Sequence, residues 1–346
     1  MLVRSTDGSP IAAPFRLAVV GCGKVFERYH LKAVRSRPGV RIVAAVEPES
    51  GRLEWVKRAL PRALCRATLD DVLKEAVPDG VLVATPPEAH VEVAERCLEE
   101  GLAVLVEKPM AVDVLGARTL MEAQRRSGRP LLVGFNRRFY EPYRPLRRPL
   151  REASSEAELE YVFVAEQSRW SQGHGAVPTG SVLHDIGCHA LDLVRFLGDS
   201  PVETLQAKVA EGLRGEELHE LHVQTASGLR ARCVVGYGPS YTERLEVRAA
   251  NGTHRVTVAG GGSAARVAQT IGYALQRVTG RSTVADSAFG AQLDAFVAAC
   301  AGHAPVDAAG PSAGLAAVEG IRAANESLQG GGIWCPVTRL KSEQSK

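Results

Sequence analysis

Three residues have side chains suited to moving a proton to or from an alcohol. Asp185 and His189 are four residues apart, so they share one face of a helix predicted to begin near Ser181. A histidine can accept or give a proton near neutral pH, and an aspartate can bind a substrate hydroxyl or orient that histidine. Lys108 offers a cation that polarises an oxygen, or a base if burial lowers its pKa. Two other interpretations stay open for the Asp185–His189 pair: a metal site, which would lack a third ligand nearby, and a capped helix with a solvated histidine.

A glycine-containing turn, Gly21-Cys22-Gly23-Lys24-Val25-Phe26, directly follows a predicted strand and begins a predicted helix. Glycine is needed once for the tight turn and once so that the backbone can approach a pyrophosphate, which the N-terminus of the helix attracts. We therefore predict that Gly21, Gly23, Lys24 and Val25 bind a dinucleotide. Phe26 stands where the motif has its third glycine, which predicts looser packing of the helix on the strand. An ordinary tight turn is the alternative.

An acidic residue, Glu47, follows the second predicted strand. Its carboxylate can accept hydrogen bonds from the adenosine ribose and would repel a 2′-phosphate, which favours NAD over NADP. Arg52 lies close enough in sequence to accommodate such a phosphate, so NADP stays possible. A solvated charge at the end of a strand is the alternative.

Polar residues also follow the later predicted strands of this half. They are Thr85 and Pro86, then Glu107 and Lys108, then Asn136. In an open α/β sheet ligands bind outside the carboxyl ends of the strands, so we expect Gly21, Glu47, Thr85, Lys108 and Asn136 to converge on one crevice. His90 is expected to be structural or to face the ribose.

Arg169 and Trp170 precede the Asp185–His189 segment and are predicted to line the substrate pocket, or else to pack between domains. The arginines between Arg125 and Arg148 suit a phosphorylated substrate, but we favour a solvated surface.

The elements that would position these residues fall into two patterns. Short apolar strands alternate with amphipathic helices in the first half, which indicates a doubly wound parallel sheet. The strands predicted there are Arg16–Val20, Arg41–Val46, Gly80–Ala84, Ala103–Val106 and Pro130–Gly134, with a helix over Ala89–Glu100 that ends at Gly101.

Longer strands with turn signals follow a connector over Phe139–Glu152, and they indicate an α+β domain with a mostly antiparallel sheet. They are predicted at Ala157–Glu166, Val202–Glu211, His219–Ala226, Arg230–Gly236, Arg244–Ala249 and Thr253–Val258, before helices at Ser287–Cys300 and Ala313–Gln329. We therefore predict a flexible leader over residues 1–14, a Rossmann domain over 15–137 and a substrate-binding and oligomerisation domain over 138–346.

Composition excludes several classes of protein. The 42 basic and 39 acidic residues give a net charge of +3, which provides no long-range field for nucleic acid or an anionic membrane. No apolar run approaches the roughly 20 residues of a membrane span, and the leader lacks the apolar region of a signal peptide. The 7 scattered cysteines include no C-x-x-C pair, so we expect neither a disulfide framework nor a zinc site. A reducing cytoplasm is therefore the expected compartment.

The chain resembles the glucose–fructose oxidoreductase/inositol dehydrogenase (Gfo/Idh/MocA) family. Four blocks carry the resemblance: Gly21-Cys22-Gly23, Thr85-Pro86-Pro87-Glu88-Ala89-His90, Glu107-Lys108-Pro109 and the segment from Gly180 to Asp192. The resemblance implies a Rossmann domain followed by an open-faced antiparallel sheet that is often used for oligomer contacts. It also implies that Lys108, Asp185 and His189 form the active site and that the Lys108–Pro109 peptide is often cis.

These observations predict an NAD(P)-dependent dehydrogenase or reductase of a secondary alcohol or ketone. By family analogy the substrate is a sugar, a sugar derivative or a cyclitol, and the protein is a homodimer or homotetramer. Two alternatives are a reductase of an imine or α-keto group and a dinucleotide-sensing protein without catalysis. The intact set Lys108, Asp185 and His189 argues against the second alternative.

Overall fold

The computed structural model describes residues 13–152, 157–166, 182–210, 217–250, 252–259 and 283–337. Several predictions lie outside the described residues. They concern residues 1–12 of the leader, Ser181, and the two substrate-pocket residues Arg169 and Trp170.

The chain forms two compact units that interleave along the sequence. The first unit contains the residues up to Glu107, Thr119–Gly134 and Phe289–Ala308, and the second contains Lys108–Arg118, Phe135–Ala288 and the residues from Ala309 onward. Each unit therefore contains residues from both sides of residue 137, where the sequence analysis predicts a single domain boundary. The reason is local packing in the first unit, where Phe296 is fully buried and its ring lies edge-on against Phe15, 6.0 Å between centroids.

A six-stranded parallel sheet forms the centre of the first unit, in the order β3-β2-β1-β4-β5-β6. Its strands are β1 (Phe15–Val20), β2 (Val40–Val46), β3 (Leu64–Arg66), β4 (Gly80–Val83), β5 (Ala103–Val106) and β6 (Leu131–Val133). This is the strand order of a dinucleotide-binding fold, and it confirms the predicted fold class. The sequence analysis missed β3, because its three residues, Leu-Cys-Arg, form no continuous apolar run, unlike the three of β6.

Helices connect these strands. They are α1 (Leu31–Arg35), α2 (Ser50–Ala59), α3 (Leu69–Glu75), α4 (His90–Glu99) and α5 (Val114–Ser127). α4 confirms the helix predicted over Ala89–Glu100, and Gly101 ends it with a φ of 72° that suits glycine.

A seven-stranded sheet forms the second unit, in the order β12-β11-β7-β10-β9-β8-β13. Its strands are β7 (Glu158–Glu166), β8 (Val202–Ala210), β9 (Glu217–Thr225), β10 (Arg230–Gly238), β11 (Thr242–Ala249), β12 (Gly252–Ala259) and β13 (Cys335–Pro336). All neighbours are antiparallel except the central pair β7 and β10. The predicted antiparallel sheet and its last hairpin are thus confirmed.

Four helices, numbered α6 to α9 in chain order, follow α5 in the described part of the second half. α6 (Arg147–Glu152) lies in the segment predicted to be a plain connector, so that prediction is wrong. Pro145 closes a 3₁₀ turn just before it, and a proline tolerated at a helix start hid the helix from the sequence pattern. α7 (Cys188–Gly198) packs against β7 and β10, and α9 (Pro311–Gln329) packs against β8.

The long helix α8 (Val284–Cys300) precedes α9 and passes from the second unit into the first. Within the described residues, no helix is both long and apolar enough to cross a membrane.

All seven cysteines are free, and every one except Cys300 is buried. Burial raises the pKa of Cys97 in the first unit and of Cys233 in the second to about 12. These thiols therefore stay protonated and pack as small apolar groups.

Candidate active site

Gly21, the first glycine of the turn after β1, is required by the backbone conformation and by close packing. Gly21 has a φ of 84°, and a Cβ built on it would lie 2.6 Å from the carbonyl oxygen of Ala84 and the amide nitrogen of Thr85. Glycine is required here because the backbone at the end of β4 occupies the space of a side chain.

The second glycine has open space above it. A Cβ on Gly23 would meet no heavy atom within 4 Å. Gly23 also starts the following helix, since its carbonyl oxygen accepts a hydrogen bond from the amide of Glu27 at 3.0 Å. The first-turn N–H groups of a helix have no partner within the helix, so an anion can approach them over Gly23.

The residue in place of the third glycine fills the space between the helix and the sheet. Phe26 is fully buried in the core beside Leu17, and the helix widens there into a π turn over Phe26–His30. The helix therefore has a wider turn at this position, but the packing is not loose, because the Phe26 ring is fully buried in the core.

Glu47 lies against the glycine turn, at the end of β2. It is 8% exposed, and its two oxygens accept hydrogen bonds from the amides of Cys22 at 3.0 Å and Glu49 at 3.1 Å. The neighbouring Arg52 donates to the carbonyl oxygen of Cys22 at 2.7 Å and pairs with Glu27 at 2.8 Å. Its guanidinium also stacks on Trp55, 4.0 Å from the ring centroid.

The segment after β4 brings Thr85 and His90 together. His90 is buried at the start of α4, and its Nε2 lies 3.0 Å from the carbonyl oxygen of Thr85. Pro86 lies between them at the end of this turn. Among the described residues the buried hydroxyl of Thr85 has no hydrogen-bond partner, which leaves it able to bind a ligand.

Glu107, at the end of β5, forms a buried pair with His30 of the helix that follows the glycine turn. His30 and Glu107 are both buried, with Nε2 and Oε1 2.7 Å apart, and the ring of Phe289 lies edge-on against His30. This pair joins the helix after the glycine turn to the strand that ends in the Glu-Lys-Pro block. Nothing in the sequence pattern signals it, because the two residues are 77 positions apart.

In the second unit, Lys108 forms an ion pair with Asp185. Its ammonium donates to Asp185 Oδ1 and, at 2.9 Å, to the carbonyl oxygen of the same residue. The peptide bond from Lys108 to Pro109 is cis. Asp185 lies in a π turn, Leu183–Gly187, that leads into α7.

The other oxygen of Asp185 accepts a hydrogen bond from the hydroxyl of Tyr237 on β10. Burial raises the pKa of Asp185, but the charge and hydrogen bond of Lys108, with the hydrogen bond of Tyr237, hold it below its ordinary value. Both carboxylate oxygens are thus engaged by other groups, which argues against the roles of metal ligand and of partner to His189.

His189 follows on α7 and is 5% exposed. Its ring lies edge-on between Phe135 and Phe163, 6.0 and 6.1 Å between centroids. Burial, then the positive charges of Arg137 and Lys108, hold its pKa well below the ordinary value. The ring is therefore neutral at pH 7, and its buried Nδ1 has no hydrogen-bond partner among the described residues.

Two further ion pairs lie in the same unit. Arg137 and Glu243 are both buried, and Glu243 also accepts hydrogen bonds from three tyrosine hydroxyls, those of Tyr143, Tyr161 and Tyr241. Arg138 pairs with Asp192 through two hydrogen bonds of 2.8 and 2.6 Å. Asn136 precedes both arginines and is itself buried.

The predicted site residues are thus distributed over both units. Gly21, Glu47 and Thr85 belong to the first unit, with Lys24, Val25, Arg52, Pro86, His90 and Glu107. Lys108, Asn136, Asp185 and His189 belong to the second. The structure brings Lys108 and Asp185 into contact, and the common crevice stays a prediction.

Sequence comparison assigns both halves of the chain. Residues 15–135 match the family model described as "Oxidoreductase family, NAD-binding Rossmann fold", and residues 154–255 match "GFO/IDH/MocA C-terminal domain".

Individual relatives agree with this assignment. Inositol 2-dehydrogenase of Leifsonia xyli is 31% identical over 56% of this chain, and the match spans only 56% of that relative's length. D-apiose dehydrogenase of Paraburkholderia graminis is 28% identical, and the match covers 70% of this chain and 68% of that relative's length.

Among solved structures, scyllo-inositol dehydrogenase of Lactobacillus casei with bound NAD(H) and scyllo-inositol has a TM-score of 0.74 and 17% identity, covering 94% of this chain and 99% of that one. A likeness at this identity shows the fold. With both halves matched by models of one family, the chain belongs to the Gfo/Idh/MocA family of oxidoreductases.

Proposed function

We propose that the protein is an NAD-dependent dehydrogenase that interconverts a secondary alcohol and a ketone on a polyol, sugar or cyclitol. The observation that carries the proposal is the set Lys108, Asp185 and His189 in the second unit, which pairs an ammonium group with a carboxylate beside a neutral, buried imidazole. The relatives named above act on inositol and D-apiose, which are polyhydroxylated compounds.

Each of these side chains has a role in the proposed reaction. His189 is neutral, so it can accept the hydroxyl proton of an alcohol as it is oxidised. The ammonium of Lys108 can donate a hydrogen bond to the same oxygen and stabilise negative charge on it. Asp185 keeps that ammonium in place through Oδ1 and its backbone carbonyl.

Residues of the first unit suit a dinucleotide. The open space over Gly23 and the unpartnered hydroxyl of Thr85 fit a phosphate and a polar group of the cofactor. When bound, NAD supplies the hydride acceptor.

We further propose that NAD is preferred over NADP. Glu47 places a carboxylate beside the glycine turn, which would repel a 2′-phosphate bound there, and Arg52 is already engaged by Cys22 and Glu27. A 2′-phosphate would have to draw Arg52 away from these partners. Calorimetric titration of both oxidised cofactors tests the preference, and tighter binding of NADP would contradict it.

Charge pairing favours an uncharged substrate. In the described part of the second unit, Lys108, Arg137 and Arg138 each pair with a carboxylate, those of Asp185, Glu243 and Asp192. An anionic ligand would have to displace a carboxylate that is already paired with each of these cations. This supports a neutral polyol over a phosphate ester or an α-keto acid.

The function is tested by measuring the absorbance of reduced cofactor with a panel of substrates. The panel contains inositols, D-apiose and other free sugars, their phosphate esters and α-keto acids. We expect turnover with at least one neutral compound and less with its phosphate ester. NAD binding without turnover on any compound would instead favour the sensing protein.

We also propose that the protein assembles as a homodimer or homotetramer through the sheet of the second unit. One face of this sheet carries alternating arginines and glutamates, among them Arg232 between Glu220 and Glu160. A second copy can match such a self-complementary surface in an isologous contact. Light scattering at low and high salt tests this proposal. We expect the oligomer to dissociate at high salt, and a monomer at all salt concentrations would contradict the proposal.

A further inference from the structure

The Asp185 carboxylate is held from two sides. Lys108 engages Oδ1, and the hydroxyl of Tyr237 engages Oδ2. The Lys108 and Asp185 side chains are 17% and 22% exposed, so the pair can meet a ligand, whereas Tyr237 is 4% exposed. Tyr237 therefore acts on the pair from the protein interior.

Tyr237 comes from a rigid part of the fold. β10 lies between β7 and β9, and Tyr237 is in register with Ala165 on one side and Glu217 on the other. The two backbones are close at the preceding residue, where a Cβ on Gly236 would lie 2.1 Å from the carbonyl oxygen of Glu217. Asp185, in contrast, lies on an irregular π turn that contacts β10. Tyr237 thus lies on a strand paired on both sides, whereas Asp185 lies on an irregular turn beside that strand.

The hydroxyl of Tyr237 remains a donor at all working pH values. Burial, with the carboxylate of Asp185, raises the pKa of Tyr237 far above its ordinary value. The hydroxyl therefore keeps its proton, and Asp185 is the acceptor.

We propose that Tyr237 is a positioning residue, which anchors the Asp185 carboxylate to the sheet so that Asp185 in turn fixes the ammonium of Lys108. The proposal rests on the proposed function for the importance of Lys108, but the contact itself can be tested without any substrate. Without the hydroxyl, Oδ2 loses its donor, and the carboxylate is free to rotate and to carry Lys108 with it. A merely structural tyrosine would fill the same space without affecting the titration of Asp185.

The direct test is Tyr237→Phe, which removes one oxygen and leaves the ring. Carbon-13 NMR of labelled aspartate carboxyl groups, with the Asp185 signal assigned by Asp185→Asn, follows the titration. Loss of a hydrogen bond to the ionised form should raise the pKa of Asp185 by about one pH unit. An unchanged titration in a folded Tyr237→Phe variant overturns the proposal.

The titration has to be interpreted against the other groups around Asp185. Those with an electrostatic effect on it or on Tyr237 are Lys108, Arg137, Cys188 and Glu217. None of these is altered by Tyr237→Phe.

Tyr161→Phe is the matched control. Tyr161 is fully buried on the same face of the sheet, and its hydroxyl donates to Glu243 at 2.7 Å. The same chemical change should leave the titration of Asp185 in place, and an equal shift in both variants would assign the effect to general loosening. If Tyr237→Phe does not fold, the fallback is to incorporate 3-fluorotyrosine into the wild-type chain. Its more acidic hydroxyl should donate a stronger hydrogen bond and lower the pKa of Asp185. An unchanged pKa of Asp185 would contradict the proposal.

Kinetics supply the second readout. With any substrate of the panel, Tyr237→Phe should lower kcat about tenfold and leave the KM for NAD unchanged, since the glycine turn is untouched. If the wild-type protein turns over nothing, the proposed function fails, while the titration still decides whether the Tyr237 hydroxyl holds the Asp185 carboxylate. A normal kcat in Tyr237→Phe with a shifted titration would overturn the positioning role.

Discussion

The two units hold their candidate functional residues by different means. In the first unit the backbone is prominent, since Gly21 permits the turn, Gly23 leaves open space and the amides of Cys22 and Glu49 hold Glu47. In the second unit side chains prevail, and Lys108, Asp185 and Tyr237 come from three separate segments. Backbone sites are encoded in consecutive residues, whereas side-chain sites depend on the tertiary fold.

The largest expected effect concerns the side-chain site. Lys108→Ala and His189→Ala should each lower turnover about 100- to 10,000-fold, because general acid–base groups contribute on that scale. Cofactor affinity should change little, since the glycine turn is intact. Steady-state kinetics and calorimetric titration of NAD measure the two effects.

Lys57→Ala and His303→Ala remove exposed side chains of the same types and serve as controls. Wild-type turnover in His189→Ala would withdraw the proton-transfer role. Full activity in both variants would contradict the family's assignment of catalytic residues for this chain.

The second prediction separates the two glycines of the backbone site. Gly21→Val should lower the free energy of unfolding by about 3 kcal/mol or more, because its Cβ meets the backbone of Ala84 and its φ is 84°. Gly23→Val should leave stability within about 0.5 kcal/mol of wild type but abolish tight NAD binding, since its side chain fills the open space.

Urea unfolding and NAD titration of both variants test this contrast. Unchanged affinity in a folded Gly23→Val protein would show that the turn does not bind phosphate.

A third, smaller effect follows from the depressed pKa of His189. The folded protein keeps His189 neutral, whereas the unfolded chain protonates it near pH 6.5, so unfolding takes up a proton below that pH. Stability should therefore fall as the pH drops from about 6.5 towards the folded-state pKa, by up to about 1.4 kcal/mol per pH unit.

His189→Asn removes this contribution. Urea unfolding of both proteins between pH 7.5 and pH 4.5 should give curves that diverge as the pH falls, with the wild type losing more. Parallel curves would mean that His189 is not held neutral by the fold.

The smallest effect concerns cofactor choice. Glu47→Gln keeps the size of the side chain and removes its charge, so the ratio of NAD to NADP affinity should fall about tenfold, or about 1.4 kcal/mol. Titration of both cofactors measures the ratio. Glu49→Gln is the control, because Glu49 instead caps α2 through the amides of Gly51 and Arg52.

Local signals explain what could be predicted from the sequence. Gly21 and Gly101 were identified because only glycine readily adopts their positive φ. All strands of the two sheets except β3 and β13 were found, because their surroundings show a run of apolar or alternating residues, whereas β3 and β13 are only three and two residues long. Lys108, Asp185 and His189 were found from spacing and family resemblance.

Partners distant in the sequence could not be predicted. Tyr237 reaches Asp185 across 52 positions, and Arg137 reaches Glu243 across 106. No periodicity encodes such a contact, because it depends on how β10 and β11 are placed in the sheet. The contacts of Asp185 with Lys108 and Tyr237 could not be predicted for the same reason, and they favour the first of its two predicted roles, binding a substrate hydroxyl, over orienting His189.

The buried thiols make each unit's opening measurable by itself. Cys97 lies in the first unit and Cys233 in the second. Thiol reagents react only with the thiolate form, and burial keeps both thiols protonated. In variants that keep one of these cysteines, the labelling rate reports how often the surrounding structure opens. Its dependence on urea then gives a separate opening free energy for the dinucleotide unit and for the sheet unit, without fluorescent probes.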